Sequence, residues 1–174
     1  PAEPFGLARI RSLDGAGLSA ISRAVGSLRY RVTFRAIGGH SYSAFGLVNP
    51  IHALGRAIAG ISDIQVPETP KTTFNVGVIQ GGTSVNSIPF EASMEIDMRS
   101  ESPDAVSVVD AQVRKIIQSA LDAENARWNV PAGSKNRLTV QIDTIGIRPA
   151  NSAQTASSPI VAAAIAAGRA LGFT

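Results

Sequence analysis

The chain of 174 residues contains no cysteine, which excludes disulfide frameworks, thiolate metal sites and cysteine nucleophiles. That absence fits a reducing compartment and favours a cytoplasmic location, while leaving secretion open. Histidine is nearly as scarce. Only His40 and His52 occur, and no His-Glu-x-x-His or His-x-Asp pattern is present. These residues alone are not expected to hold a catalytic zinc, and no metal ligand is assigned among them. Charged residues make up 17%, below the roughly 25% of an average globular chain, which argues against disordered acidic or basic tails. A net charge of +3 is small and dispersed, so no nucleic-acid partner is expected. No apolar run approaches the roughly 20 residues of a membrane span. The longest, Ile160 to Leu171, is interrupted by Gly168 and Arg169, so no membrane association is expected.

What is present reads as one folded domain with something attached. The length exceeds a typical domain of roughly 150 residues only slightly. The chain starts at Pro1 without a targeting pattern, so a piece cut from a longer protein is expected. Arg29 to Ala36 alternates Tyr30, Val32, Phe34 and Ala36 with Arg29, Arg31, Thr33 and Arg35, the period of a half-buried strand. Asn49-Pro50 then gives a helix cap and first-turn proline, with Ile51, Leu54, Ile58 and Ile61 at helical spacing. Thr72 to Gln80 reads as a second strand with Phe74, Val76 and Val78 facing one way, ended by Gly81-Gly82.

The third strand has the clearest alternation, with Phe90, Ala92, Met94, Ile96 and Met98 set against Glu91, Ser93, Glu95, Asp97 and Arg99. Ser102-Pro103-Asp104 caps a long helix to about Arg127, striped by Val106, Val109, Val113, Ile116, Ile117 and Ala120. Leu138, Val140 and Ile142 alternate in a fourth strand. The order strand, helix, strand, strand, helix, strand predicts an α+β, ferredoxin-like two-layer sandwich, a four-stranded antiparallel sheet with both helices on one face. The other face would carry Arg29, Arg31 and Arg35 beside Glu91, Glu95 and Asp97, in reach of cross-strand pairing. Outside this pattern lie a short strand candidate, Leu7 to Leu13, an Asp14-Gly15 turn and an alanine-rich helix capped by Ser158-Pro159.

Few residues are candidates for chemistry. His52 lies within the first helix, one residue after Ile51, and receives no role. His40 follows Gly38-Gly39 at a strand end, where a loop tip can present an imidazole; an idle loop histidine fits equally. Gly81 to Asn86 lacks the Lys-Ser/Thr ending of a phosphate loop and precedes a strand, not a helix, so phosphate binding is rejected. Arg99 ends the regular strand on its polar side, suited either to bidentate capture of a carboxylate or to a plain cross-strand salt bridge.

Three stretches carry a resemblance: IGGHSYSAFGLVNPIHAL, then TTFNVGVIQGGTSVNSIPFEASMEIDMRS, then Ile-Gly-Ile-Arg-Pro-Ala. Together they resemble the zinc exopeptidase family that includes peptidase T, acetylornithine deacetylase, aminoacylase and glutamate carboxypeptidase. The likeness spans the inserted dimerisation domain, or lid, of that family. It implies an exit segment at 1–26 from a missing catalytic domain, the lid at 27–148, and a return segment with a helix at 149–174. It also implies two zinc or other divalent ions in the full-length enzyme, none of them bound by this fragment, and hydrolysis of a peptide or N-acyl amino acid substrate by the whole, the fragment alone being inactive. His40, from the GGHS motif, would act in the partner subunit's site. Asn86, from GGTSVN, and Arg99, from DMRS, would position substrate, with Gly81 and Gly82 allowing close backbone approach. Many relatives have a glycine-proline pair where this chain has Ala36-Ile37, which would shift the His40 loop slightly. A homodimer is expected through the uncharged strand 72–80 and the adjacent helix. The alternative is a stand-alone ferredoxin-like ligand-binding regulatory module. RNA binding is disfavoured because carboxylates, not stacking aromatics, line the exposed side of the third strand.

Overall fold

The computed structural model describes residues 24–150 and 159–171. In chain order its elements are β1 (Gly26–Arg35), β2 (Gly39–His40), α1 (Pro50–Ser62), β3 (Thr72–Gly81), β4 (Ser87–Ile88), β5 (Glu91–Ser100), α2 (Pro103–Arg127), β6 (Thr139–Arg148) and α3 (Pro159–Ala170). Both expected caps form. Asn49 accepts from the Ile51 N–H at 2.9 Å, and Ser102 from the Ala105 N–H at 3.4 Å, each supplying an acceptor to a helix end that lacks one. The strand candidate at Leu7 to Leu13, the Asp14-Gly15 turn and the Ser158 cap lie outside the described residues; the helix that the cap would start is present as α3.

Strand order is β3-β5-β1-β6, antiparallel throughout. This is the ferredoxin-like arrangement predicted from the order of elements. Tyr30, Val32 and Phe34 of β1 and Ala92, Met94, Ile96 and Met98 of β5 are buried against Leu54, Ala57 and Ile61 of α1 and Val109, Val113 and Ile117 of α2. Tyr30 donates its hydroxyl to Asp110 at 2.8 Å and accepts from Arg114 at 2.6 Å, fastening α2 to the central strand. Asn125, also buried, exchanges hydrogen bonds with both backbone groups of Leu138 and so fixes where the chain enters β6.

Three predicted positions are corrected. Val78 does not share a face with Val76, because a bulge shifts the register between them: Val76 pairs with Ile96 and Val78 with Glu95. Phe90 precedes β5 and is 68% exposed; its ring closes over Gly38 instead, where an added Cβ would meet it at 2.8 Å. Ile51 is exposed, and the buried stripe of α1 runs through Ala53, Leu54, Ala57 and Ile61. Ile51 turns to the β3 side of the helix, with its Cδ1 3.4 Å from where a Gly82 Cβ would stand.

The face of the sheet turned away from α1 and α2 is a ladder of ion pairs. Arg29 meets Asp97 at 2.7 Å, Arg31 meets Glu95 at 2.7 Å and Arg35 meets Glu91 at 3.4 Å. Each pair is directly cross-strand, as the alternation predicted.

Candidate functional site

The structure divides the candidate residues between two ends of the sheet. His40 belongs to β2 and Asn86 immediately precedes β4, and the two short strands pair through Gly39 with Ile88 and His40 with Ser87. The Ser41 N–H donates to the Asn86 carbonyl at 2.9 Å. The motifs, 46 residues apart, thus come together. The Tyr42 backbone N–H donates to His40 Nδ1 at 3.3 Å. Ser84 Oγ donates to Asn86 Oδ1 at 2.6 Å, which leaves Asn86 Nδ2 3.4 Å from His40 Nε2. The amide and the imidazole thus form one exposed polar pair, whose N–H groups suit an oxygen that gains negative charge.

Gly81 and Gly82 lie at the same end, where β3 stops. Their φ angles of 149° and 84° fall in the region that side chains avoid. A Cβ on Gly81 would also meet Ala92 Cβ at 2.8 Å. The pair lets β3 break away from β5 and lead into the exposed 82–86 loop that presents Asn86. Tyr42 and Ser84, which orient the two donors, escaped the sequence reading, because a backbone N–H aimed at a ring leaves no mark in composition or spacing.

Arg99 is elsewhere. It pairs with Ser27 and Thr73 at the end of the sheet where β1 begins and β6 finishes. The span from there to the Arg35–Glu91 rung is eight extended residues, about 26 Å. Residues 24–26 and 148–150 leave the sheet side by side at the Arg99 end, and a Cβ on Gly26 would come 2.8 Å from the Ala150 nitrogen. Arg99 Nε donates to Asp97 Oδ2 at 2.5 Å while Arg29 Nε donates to Asp97 Oδ1. Burial alone would push the Asp97 carboxyl up, but the hydrogen bonds from both arginines outweigh it and hold the group below the usual carboxylate range. A depressed carboxyl adds stability above its unfolded pKa and loses it as pH falls through the folded value. Asp97→Asn is therefore expected to be less stable than the parent at neutral pH, by a margin that closes on acidification. Thermal unfolding across the acid range checks this, and a margin that stayed constant would contradict it.

Among the described residues no group of three or more histidine, aspartate or glutamate side chains lies close enough to hold a metal ion. The zinc ions implied by the resemblance find no fit in these residues, and the chemistry on offer is that of hydrogen-bond donors and guanidinium groups. Among the described residues no helix is long and apolar enough to cross a membrane.

The peptidase dimerisation domain family matches residues 23–125. N-acetylcysteine deacetylase from Bacillus subtilis is 26% identical over 93 residues, covering 52% of this chain and 24% of that protein. Among solved structures, an amidase of the hydantoinase/carbamoylase family from Burkholderia vietnamiensis superposes with a TM-score of 0.66 at 19% identity, covering 87% of this chain and 34% of the other. A tripeptidase from Staphylococcus aureus gives 0.65 at 17% identity, over 88% of this chain and 37% of that one. The chain thus spans about a quarter to a third of the length of these relatives, and the structural likeness speaks for the fold alone. Because the family match takes in more than half of the residues, from β1 through nearly all of α2, the chain belongs to the peptidase dimerisation domain family.

Proposed function

We propose that this chain is the dimerisation and substrate-positioning domain of a metal-dependent peptidase or amidohydrolase that cleaves a peptide or N-acyl amide bond. Two zinc or other divalent ions would be held by a separate catalytic domain of the parent chain, and the fragment alone would be inactive. Family membership supports this reading. A stand-alone regulatory module, left open by the residues alone, has no comparable support.

The carrying observation is the separation of Arg99 from the His40–Asn86 pair. A catalytic domain joined through residues 24–26 and 148–150 sits beside Arg99 and far from His40 of its own chain. Among the described residues strand β3 is an unpaired edge, ten residues long and without a charged side chain. Ile51, Gly55, Ile58 and Ser62 continue an uncharged surface along the flank of α1. Two β3 edges paired antiparallel about a two-fold axis bring the 81 end of one strand beside the 72 end of the other. The partner's His40 and the partner's Asn86 then approach the end that carries Arg99. There Arg99 holds a substrate carboxylate through its guanidinium, and the partner's His40 and the partner's Asn86 offer N–H groups to the oxygen of the amide carbonyl as negative charge develops on it.

Subunit mixing tests this assignment in the full-length enzyme. His40→Ala and Arg99→Ala homodimers are each expected to be nearly inactive. After exchange, half of the dimers are mixed and each contains one intact site, so activity should recover to about a quarter of the parent value. If His40 served the site of its own chain, no mixed dimer would contain an intact site and activity would stay low.

A further inference from the structure

The turn that follows His40 is bonded to itself. The Ala44 N–H donates to the His40 carbonyl at 2.9 Å, the Phe45 N–H to the Tyr42 carbonyl at 3.4 Å and the Leu47 N–H to the Ala44 carbonyl at 3.2 Å. Gly39 closes against it, since an added Cβ would meet the Ala44 Cβ at 2.8 Å. Both ends of the turn are tied down. One is held where β2 pairs with β4, and the other runs through buried Val48 to Asn49, the N-cap of α1. Two attachment points define an axis about which such a turn can swing. A third is needed to stop it.

Phe45 supplies the third. Its ring meets the Trp128 indole in a T-shaped contact, with centroids 5.4 Å apart and planes at 83°, a geometry that rings favour. Trp128 is itself held in place. Its indole N–H donates to Glu124 at 3.1 Å, the Arg127 guanidinium carbon lies 5.1 Å from the ring centre, and the ring packs against the core. Gly46 turns the chain beside the indole with φ at 107°, where an added Cβ would come 4.0 Å from Trp128 Cε3. Phe45 is nevertheless 79% exposed, so its ring contributes little through burial. Its directed contact is what fixes the turn relative to the end of α2.

We propose that Phe45 is a positioning residue: docked on Trp128, it sets the tilt of the 40–47 turn and so aims the His40 imidazole at the amide in the partner subunit's site. The assignment rests on the proposed function.

Steady-state kinetics of the full-length enzyme on an N-acetyl amino acid that it hydrolyses tests this. Phe45→Ala is expected to lower kcat about tenfold and to leave KM within about twofold, because the ring orients a reacting group without touching substrate. Phe45→Tyr keeps the ring and should retain most of the parent kcat. Phe45→Leu keeps apolar bulk without the ring contact, should lose kcat as the alanine variant does, and covers the case in which that variant folds poorly. In a His40→Ala background, Phe45→Ala should not lower the residual activity further, since the group it aims is gone. An equal loss in both backgrounds, or a raised KM at unchanged kcat, would overturn the role of Phe45. So would parent-like kcat in Phe45→Ala alongside a crippled His40→Ala. Parent-like kcat in His40→Ala would instead overturn the reading on which the assignment rests.

Discussion

Glu124→Ala is expected to lower the unfolding free energy by about 2–4 kcal/mol. Glu124 lies in the last turn of α2 and is fully buried, yet it is an acid. Its Oε1 accepts from the Asn49 backbone N–H at 2.8 Å and from the Trp128 indole at 3.1 Å, and its Oε2 pairs with Arg56. One carboxylate therefore ties the N-cap of α1, the middle of α1 and the end of α2 together. Removing it strands the Asn49 and Trp128 donors, and unsatisfied groups of this kind carry the desolvation penalty, whereas Arg56, 38% exposed, can turn to water. Asp122, exposed on the same helix, bonds only Gln118, and Asp122→Ala should stay within about 0.5 kcal/mol of the parent. Urea denaturation of both variants decides the matter. Equal losses would mean that the buried carboxylate contributes nothing particular.

The second large effect concerns assembly. Ile79→Lys is expected to weaken the dimer about 1000-fold, because an isologous interface contains every substitution twice and opposed like charges cost several kcal/mol. Ile79 is 60% exposed on β3, so the change leaves the core of the protomer intact and should barely alter its thermal stability. Sedimentation equilibrium over a concentration series measures the shift. An unaltered association constant would place the contact on some surface other than β3. Under the proposed role of His40 in the partner's site, the same variant of the full-length enzyme should lose turnover in step with dimer.

Much of this architecture was legible in the residues because period-two and period-3.6 patterns are local. The alternation from Ala92 to Met98 marked β5 correctly, and the charge pairs across from β1 followed from it. The pattern misled where geometry departs from the period. Gly77 adds one residue at a bulge and turns Val78 over, and Pro89 precedes a Phe90 whose ring swings out to Gly38. Glu124 looked like one more polar helix residue, since its partners Asn49 and Arg56 are 75 and 68 residues away. The candidate site was legible as a set of residues and illegible as a place. Motif likeness picked out His40, Asn86 and Arg99 together, whereas topology sends the first two to one end of the sheet and the third to the other.

The adjacency of Gly26 and Ala150 has a mechanical consequence. Under the proposed function the domain hangs from a catalytic domain on these two neighbouring backbone segments, and a body so hung can rock about the line joining its suspension points far more readily than it can twist or slide. The lever reaching from that suspension to the His40 loop is long and stiff. A few degrees at the pivot become several ångströms at its tip.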